Sequence, residues 1–167
     1  MATATYTPIA TQTLGSAAAS ITFSSIPGTY TDLRLVLTGT CSAAGDYMAI
    51  QYNADTATNY SLTVLSGYGT GVQSTNTTSA VSIQTSWNGA SSTTIPAMKS
   101  IDILSYAGST NKTCLITAST DQNGTAGGAV ELTVGLWRST AAITSIKLFW
   151  IGSSNFATGT IATLFGI

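Results

Sequence analysis

The side chains that could do acid–base or nucleophilic chemistry are few in this chain, and none of them is a histidine. Without histidine the commonest general base and metal ligand is missing, and a Ser-His-Asp or Cys-His site within one chain is excluded. No close pair of acids suggests a glycosidase site. Asp46 and Asp55 flank one predicted strand and could lie on neighbouring loops, but short acids are also typical of turns. We therefore expect no enzyme, no metal site and no cofactor. The six acids are Asp32, Asp46, Asp55, Asp102, Asp121 and Glu131.

The two cysteines, Cys41 and Cys114, are far apart in the sequence and form neither a disulfide framework nor a CxxC metal pattern. Isolated cysteines of this kind behave as small hydrophobic residues in a core. We expect both to be buried, and the sequence leaves open whether they pair.

The aromatic side chains offer a second kind of chemistry, because aromatic faces bind sugar rings. Five tyrosines could line such a patch, or they could pack in the core, where each ring buries about 150–250 Å². Tyr68, in a predicted loop over 67–79, is the best exposed candidate. Trp137 and Arg138, at a strand end, could form a cation–π pair or an inter-subunit contact. The five tyrosines are Tyr47, Tyr52, Tyr60, Tyr68 and Tyr106.

Charge is scarce in this sequence, and hydroxyl groups replace it. Only 7% of the residues are charged, whereas 31 are Thr and 21 are Ser. The five basic residues are scattered, so no stripe for nucleic acid is present, and no apolar run reaches the ~18 residues of a membrane helix. A surface so poor in charge is weakly protected against association. We expect it to pack against a partner.

Alternating apolar residues predict the elements that position these side chains. Leu33, Leu35 and Leu37 alternate with polar residues, and a similar period of two recurs along the chain without any helical period. Short Ser/Thr/Gly/Asn turns require antiparallel pairing. We therefore predict an all-β fold, an antiparallel jelly-roll-like β-sandwich of about eight to ten strands. Further alternating sets are Met48/Ile50/Tyr52, Tyr60/Leu62/Val64, Ile146/Leu148/Trp150 and Val130/Leu132/Val134/Leu136, and Val81/Ile83/Thr85/Trp87 precedes a predicted Asn88-Gly89 turn.

The two ends of the chain are predicted to differ. Residues 1–20 are rich in Thr and Ala and are expected to form an extended N-terminal arm that lies on a neighbouring subunit; the alternative is a floppy tail with a possible edge strand around 6–9. Residues 21–167 are expected to form a single β-sandwich domain. The chain remains apolar up to Ile167, which predicts that its last strand is held inside a sheet.

Three segments resemble a family of small virion proteins of tailed bacteriophages. They are ITFSSIPGTYTDL at 21–33, VGLWRSTAAITSI at 134–146 and the ending NFATGT…LFGI at 155–167, and Asn59-Tyr60-Ser61 also fits. The similarity covers most of 21–167, is diffuse between 67 and 95, and does not include the arm. Members of this family resemble capsid decoration modules and tail-fibre domains alike.

The resemblance implies a virion structural protein that is assembled in the host cytoplasm. As a capsid decoration (cement) protein it would bind the major capsid protein and itself, as a homotrimer, without nucleic acid or membrane. The alternative is a tail-fibre or receptor-binding module that recognises carbohydrate on the host surface. Under that alternative, an exposed aromatic such as Tyr68 would contact the sugar.

Overall fold

The computed structural model describes residues 5–86, 92–123 and 128–167, and this part of the chain is all β. It has no helix long and apolar enough to cross a membrane. The predicted Asn88-Gly89 turn and Trp87 lie outside the described residues. The strands are β1 (Thr7–Thr13), β2 (Ser20–Phe23), β3 (Leu33–Gly39), β4 (Met48–Tyr52), β5 (Tyr60–Tyr68), β6 (Gly71–Ala80), β7 (Ile83–Gln84), β8 (Ala97–Leu104), β9 (Lys112–Thr120), β10 (Ala129–Trp137), β11 (Ile146–Trp150) and β12 (Ile161–Gly166).

The described strands form two antiparallel sheets. The larger has eight strands in the order β1-β12-β3-β8-β9-β10-β5-β6, and the smaller has four in the order β2-β11-β4-β7. Inward side chains of both sheets, such as Leu35 and Ile116 from the larger and Ile50 and Leu148 from the smaller, belong to one buried apolar cluster. The all-β, two-sheet prediction is therefore confirmed.

The jelly-roll subtype stays a prediction. Eight links between consecutive described strands cross from one sheet to the other. They are β1 to β2, β2 to β3, β3 to β4, β4 to β5, β6 to β7, β7 to β8, β10 to β11 and β11 to β12. A jelly roll also requires crossings of this kind, because its two Greek keys are shared between two sheets. The hairpins β5–β6 and β9–β10 widen the larger sheet on one side without entering the smaller one.

The C-terminal strand is an interior strand, as the apolar ending predicts. β12 pairs with β1 on one side and with β3 on the other. The last residue continues the pairing, since the Ile167 N–H donates to the Asp32 carbonyl at 3.0 Å and the Thr31 N–H donates to the Ile167 carbonyl at 2.8 Å. A frayed end would leave these backbone groups to water, so the chain terminus is part of the sheet.

The N-terminal segment contains an edge strand on the same chain. β1 pairs with β12 from Thr7 to Thr13, with an irregularity between Pro8 and Ala10. Ile9 packs against the core, and the Gln12 side chain donates to the Thr22 carbonyl at 2.6 Å. The edge strand predicted as possible around 6–9 is therefore present as β1, and Thr7–Thr13 is held on its own chain rather than left as a floppy tail. The binding of the arm to a neighbouring subunit stays a prediction.

The prediction of a loop over 67–79 is wrong. The strand found there is one reason why the structure has more than the predicted eight to ten strands. β5 continues to Tyr68, and a two-residue turn at Gly69-Thr70 leads into β6. Gly69 has a φ of 51°, which glycine adopts at little cost. Thr-rich β6 suits a pleated surface, and pairing with β5 outweighs the loop-like Gly/Ser composition. The twelve described strands also include β1.

The period of two is right for most of the predicted strands. The set that begins at Val81 is a strand only at Ile83–Gln84, with Val81 exposed, and in one further strand the buried face is the opposite one. Leu33, Leu35 and Leu37 are buried as expected, and so are the inward residues of β4 and β11. In β10, however, Val130, Leu132 and Val134 point outward, with 71%, 42% and 48% of their surfaces exposed. Alternation does not specify which face is buried, and a shift of one residue exchanges the two faces.

Both cysteines are buried, as predicted, and each is a thiol rather than half of a disulfide, which the sequence left open. Burial raises the pKa of the Cys114 thiol to about 11. A thiol in such a site stays protonated near neutral pH and acts as a small apolar side chain.

We predict that Gly166→Ala destabilises the fold by about 1–3 kcal/mol, because a methyl group there overlaps the ring of Tyr30 beneath the last strand. Chemical denaturation measures the loss. The matched control is Gly15→Ala, whose new methyl group meets nothing within 4 Å and whose free energy of unfolding should be equal or slightly higher. Equal stability of the two variants would contradict a closely packed C-terminal strand.

Candidate functional site

Tyr68, the predicted exposed aromatic, ends β5 beside the Gly69-Thr70 turn and has 41% of its surface exposed. It borders a shallow cleft of about 330 Å³ whose lining also includes Thr120 and Asp121. The Thr120 hydroxyl is buried, so the accessible groups are the Tyr68 ring and the Asp121 carboxylate, a stacking group and a hydrogen-bonding group of the kind that a sugar ring uses. Tyr68 is therefore accessible, although it lies at a hairpin end and not within a loop.

The other four tyrosines do not extend this surface into an aromatic patch. Tyr52, Tyr60 and Tyr106 are fully buried, which is the core-packing alternative. The Tyr60 hydroxyl accepts from the Tyr52 N–H at 3.1 Å, and burial raises the pKa of Tyr60 to about 12. Tyr47 is 38% exposed, in the loop before β4.

Trp137 and Arg138 form hydrogen bonds that hold the loop between β4 and β5 in place. The Trp137 indole is buried, stacks on the Tyr60 ring at 6.3 Å and donates from Nε1 to the Asp55 carboxylate at 2.7 Å. Arg138 donates from Nη2 to the Thr58 carbonyl at 2.6 Å. The cation–π contacts found among the described residues join other pairs, Arg34 with Tyr6 and Lys147 with Phe149. Of these two residues, only Arg138 is exposed and accessible to a partner.

Asp46 and Asp55 lie at opposite ends of β4 and hold loops rather than a shared site. Burial acts to raise the pKa of Asp46, but hydrogen bonds from Ser154, Gly152 and Tyr47 outweigh it and the pKa is lowered. Hydrogen bonds from Asn59 and Trp137 lower the pKa of Asp55. Both carboxylates are thus charged acceptors for their own loops. Within the described ranges, no three His, Cys, Asp or Glu side chains could hold a metal ion.

The most extensive surface feature is apolar and covers five neighbouring strands of the larger sheet. Fourteen large hydrophobic side chains are exposed in the described chain, and eight of them point outward from β8, β9, β10, β5 and β6. We call this surface the outer apolar face. Its eight members are Leu65, Val72, Met98, Leu104, Leu115, Val130, Leu132 and Val134.

A groove runs across the outer apolar face. Its volume is about 490 Å³, and Leu65, Val72, Met98, Val130 and Leu132 line it. Contiguous apolar surface of more than a few hundred Å² is rare on soluble monomers and marks an interaction site. This face is therefore the candidate functional site of the described chain.

The inward side of the same strands carries buried charges. The registers place Lys99 next to Ala118, Ala118 next to Glu131, and Glu131 next to Ser66 in one row across the sheet. Lys99 and Glu131 are 1% and 2% exposed, and the Ser66 hydroxyl donates to Glu131 at 3.2 Å. Burial lowers the pKa of Lys99 to about 8, and the Glu131 charge opposes this shift.

Sequence reasoning missed this face because it treated Val130, Leu132, Val134 and Leu136 as an ordinary strand with its apolar side buried. A signal was available in the intervening residues. The intervening residues are Ala129, Glu131, Thr133, Gly135 and Trp137, of which only two are polar, whereas an exposed face would usually carry more polar side chains. A strand that is apolar on one side and mixed on the other can have both sides covered.

Comparison of the chain with protein-family models, with curated proteins and with solved structures gives no match.

We predict that Lys99→Met destabilises the fold by about 3–5 kcal/mol, because it leaves the Glu131 carboxylate buried without its positive neighbour. The double variant Lys99→Met/Glu131→Gln should recover most of the loss, since Gln keeps an oxygen that can accept from Ser66. Urea denaturation of the wild type and both variants measures this.

The pH dependence gives a second measurement on the same variants. Folding lowers the pKa of Lys99 from 10.5 to about 8, so between these values the unfolded chain binds more protons than the folded one. The free energy of unfolding of the wild type should therefore rise across this window relative to that of the double variant. A parallel course of the two curves would contradict a charged, desolvated Lys99.

Proposed function

We propose that the protein is a structural component of a tailed-bacteriophage virion, a capsid decoration protein that binds the outer shell as an oligomer. The observation that carries the proposal is the outer apolar face, since eight large apolar side chains on one side of five strands are stable in water when a partner covers them. The family resemblance of 21–167 supports the virion, and a homotrimer is the expected assembly.

The rest of the chain is suited to a passive building block. Its charges are few, and several of them are used internally. Arg34 and Asp102 form an ion pair at 2.5 Å, and Lys99 and Glu131 lie buried in the sandwich. The side chains that could take part in chemistry or binding, Asp46, Asp55 and Trp137, form hydrogen bonds that hold loops in place. Such a module contributes through rigid surfaces.

The mechanism of a decoration protein is mass action. A protein that binds the assembled shell but not its dissociated subunits stabilises the shell, by about 2.7 kcal/mol per site at a free concentration of 100 Kd. Many modest contacts on one oligomer act together, because binding at the first site makes binding at the next intramolecular.

We expect particles stripped of this protein to lose their shells at a lower temperature than intact particles. Adding the purified protein back should restore the original melting temperature, because the shell regains a ligand that its dissociated subunits do not bind. Calorimetry of the three preparations measures the effect. Unchanged melting after stripping would reject a cement role.

Tyr68 supports a second candidate, a tail-fibre or receptor-binding module for host-surface carbohydrate, because its ring is exposed next to Asp121 in a shallow cleft. Under this function Tyr68→Ala reduces adsorption of particles to host cells by about tenfold, which is the loss expected from one stacked ring. The matched control is Tyr47→Ala, which removes a similarly exposed ring elsewhere.

Location separates the two functions. Labelled antibody against the protein should mark the head of the particle for a decoration protein and the tail tip for a receptor-binding module. Normal adsorption of the Tyr68 variant, together with labelling of the head, would reject the second function.

A further inference from the structure

We infer that the outer apolar face is the surface through which copies of this chain bind one another. The inference deepens the proposed function, because it assigns a surface to the proposed oligomer. It rests on the geometry of the face and not on a location in a virion.

The first argument is the charge of the face. The outward residues of β9, β10, β5 and β6 include no charged side chain, and the single outward charge of β8, Asp102, is neutralised by Arg34 through two hydrogen bonds of 2.5 and 2.7 Å. The face offers nothing that would select a partner of opposite charge. Interfaces between identical subunits are more apolar than those between proteins that also exist apart.

The second argument is the shape of the face. One row across the sheet runs Met98, Ser119, Val130, Gly67 and Val72, so that large and small residues alternate from strand to strand. In this row the large side chains of β8, β10 and β6 stand beside the small residues of β9 and β5. A second copy of the same row brings large side chains to those small positions, which is how packed faces interdigitate.

The third argument is area. The face is five strands wide, with about 4.8 Å between strands, and about seven residues long, with about 3.3 Å per residue along each strand. These dimensions give a footprint of roughly 500 Å². Two such faces bury roughly 1,000 Å², which is about the lower limit for a stable association. A face that packs against its own copy forms an isologous contact around a two-fold axis.

The two edge strands of the larger sheet give a fourth argument, because they indicate that a partner covers the β6 end of the outer apolar face. The β1 edge is interrupted by Pro8 and an irregular register, devices that protect an edge from further pairing. The β6 edge is ten residues long and contains neither Pro nor a charged residue, and the irregularity in its pairing with β5 lies between Tyr60 and Leu62, at the end away from the groove. At the groove end, where Val72 is 78% exposed, the edge carries no such device, as expected where a partner covers it.

Light scattering and sedimentation of the purified chain test the inference. We expect the wild type to have a mass that is a multiple of 17.0 kDa. Leu132→Glu places a charge at the centre of the face and should raise the dissociation constant of the oligomer by at least about a hundredfold, while circular dichroism stays unchanged because Leu132 is exposed in the single chain. Ile151→Glu, at a similarly exposed apolar residue after β11, is the matched control and should associate like the wild type.

A milder variant covers the case in which Leu132→Glu fails to fold. Val130→Thr keeps the size and strand propensity of the side chain and should raise the dissociation constant by about tenfold. A wild type that remains monomeric at about 100 μM overturns the inference, because copies that bind one another through this face are associated at that concentration. So does a Val130→Thr variant that associates like the wild type.

Particle binding distinguishes this inference from the proposed function. A monomeric wild type whose binding to stripped particles is abolished by Leu132→Glu would mean that the shell covers the face, which overturns the inference and supports the decoration role. A wild type that oligomerises through this face but binds no particle would support the inference and reject the decoration role.

Discussion

The hydrogen-bonded register that joins β9 to β10 and β10 to β5 determines which side of this protein is core and which is surface. It places Glu131 opposite Ala118 on one flank and Ser66 on the other, all facing inward, and thereby turns Leu132 and Leu65 outward as a cross-strand pair. Because side chains alternate along a strand, a slip of one residue would bury the leucines and expose the charge. The outer apolar face exists because this register is held.

Buried charge is one reason the register is specific. Lys99 and Glu131 flank Ala118, whose small side chain leaves space for both of them beneath the sheet. Taking two charges out of water costs several kcal/mol each, so such a pair is weak evidence for stability. What it adds is a penalty on alternatives, since any shift of β9 against its neighbours separates the charges or leaves one of them unpaired. We regard this specificity as a hypothesis that the Lys99 and Glu131 variants address.

Part of the larger sheet has a polar buried side and an apolar exposed side, and this arrangement connects the fold to the proposed function. Where the smaller sheet covers the larger, apolar side chains such as Leu35 and Ile50 face each other in the usual way. Toward β6 the buried side becomes polar and the exposed side becomes apolar, as in a sheet whose two sides are both covered. A chain with so few charged residues has little else to keep such a surface apart from its neighbours. Assembly is the state to which this surface is suited.

Local pattern in the sequence determined that the chain is all β, that its strands are antiparallel and that its last residues lie inside a sheet, because a period of two, short polar turns and an apolar ending act over neighbouring residues. Tyr68 is exposed as predicted, but the loop on which that prediction rested is a β-hairpin. Tertiary structure alone decided that 71–80 pairs as β6, that Trp137 is buried against Tyr60, and that Val130, Leu132 and Val134 face outward. These outcomes depend on which strands become neighbours, and alternation is identical for a strand whose apolar side is buried and for one whose apolar side is exposed.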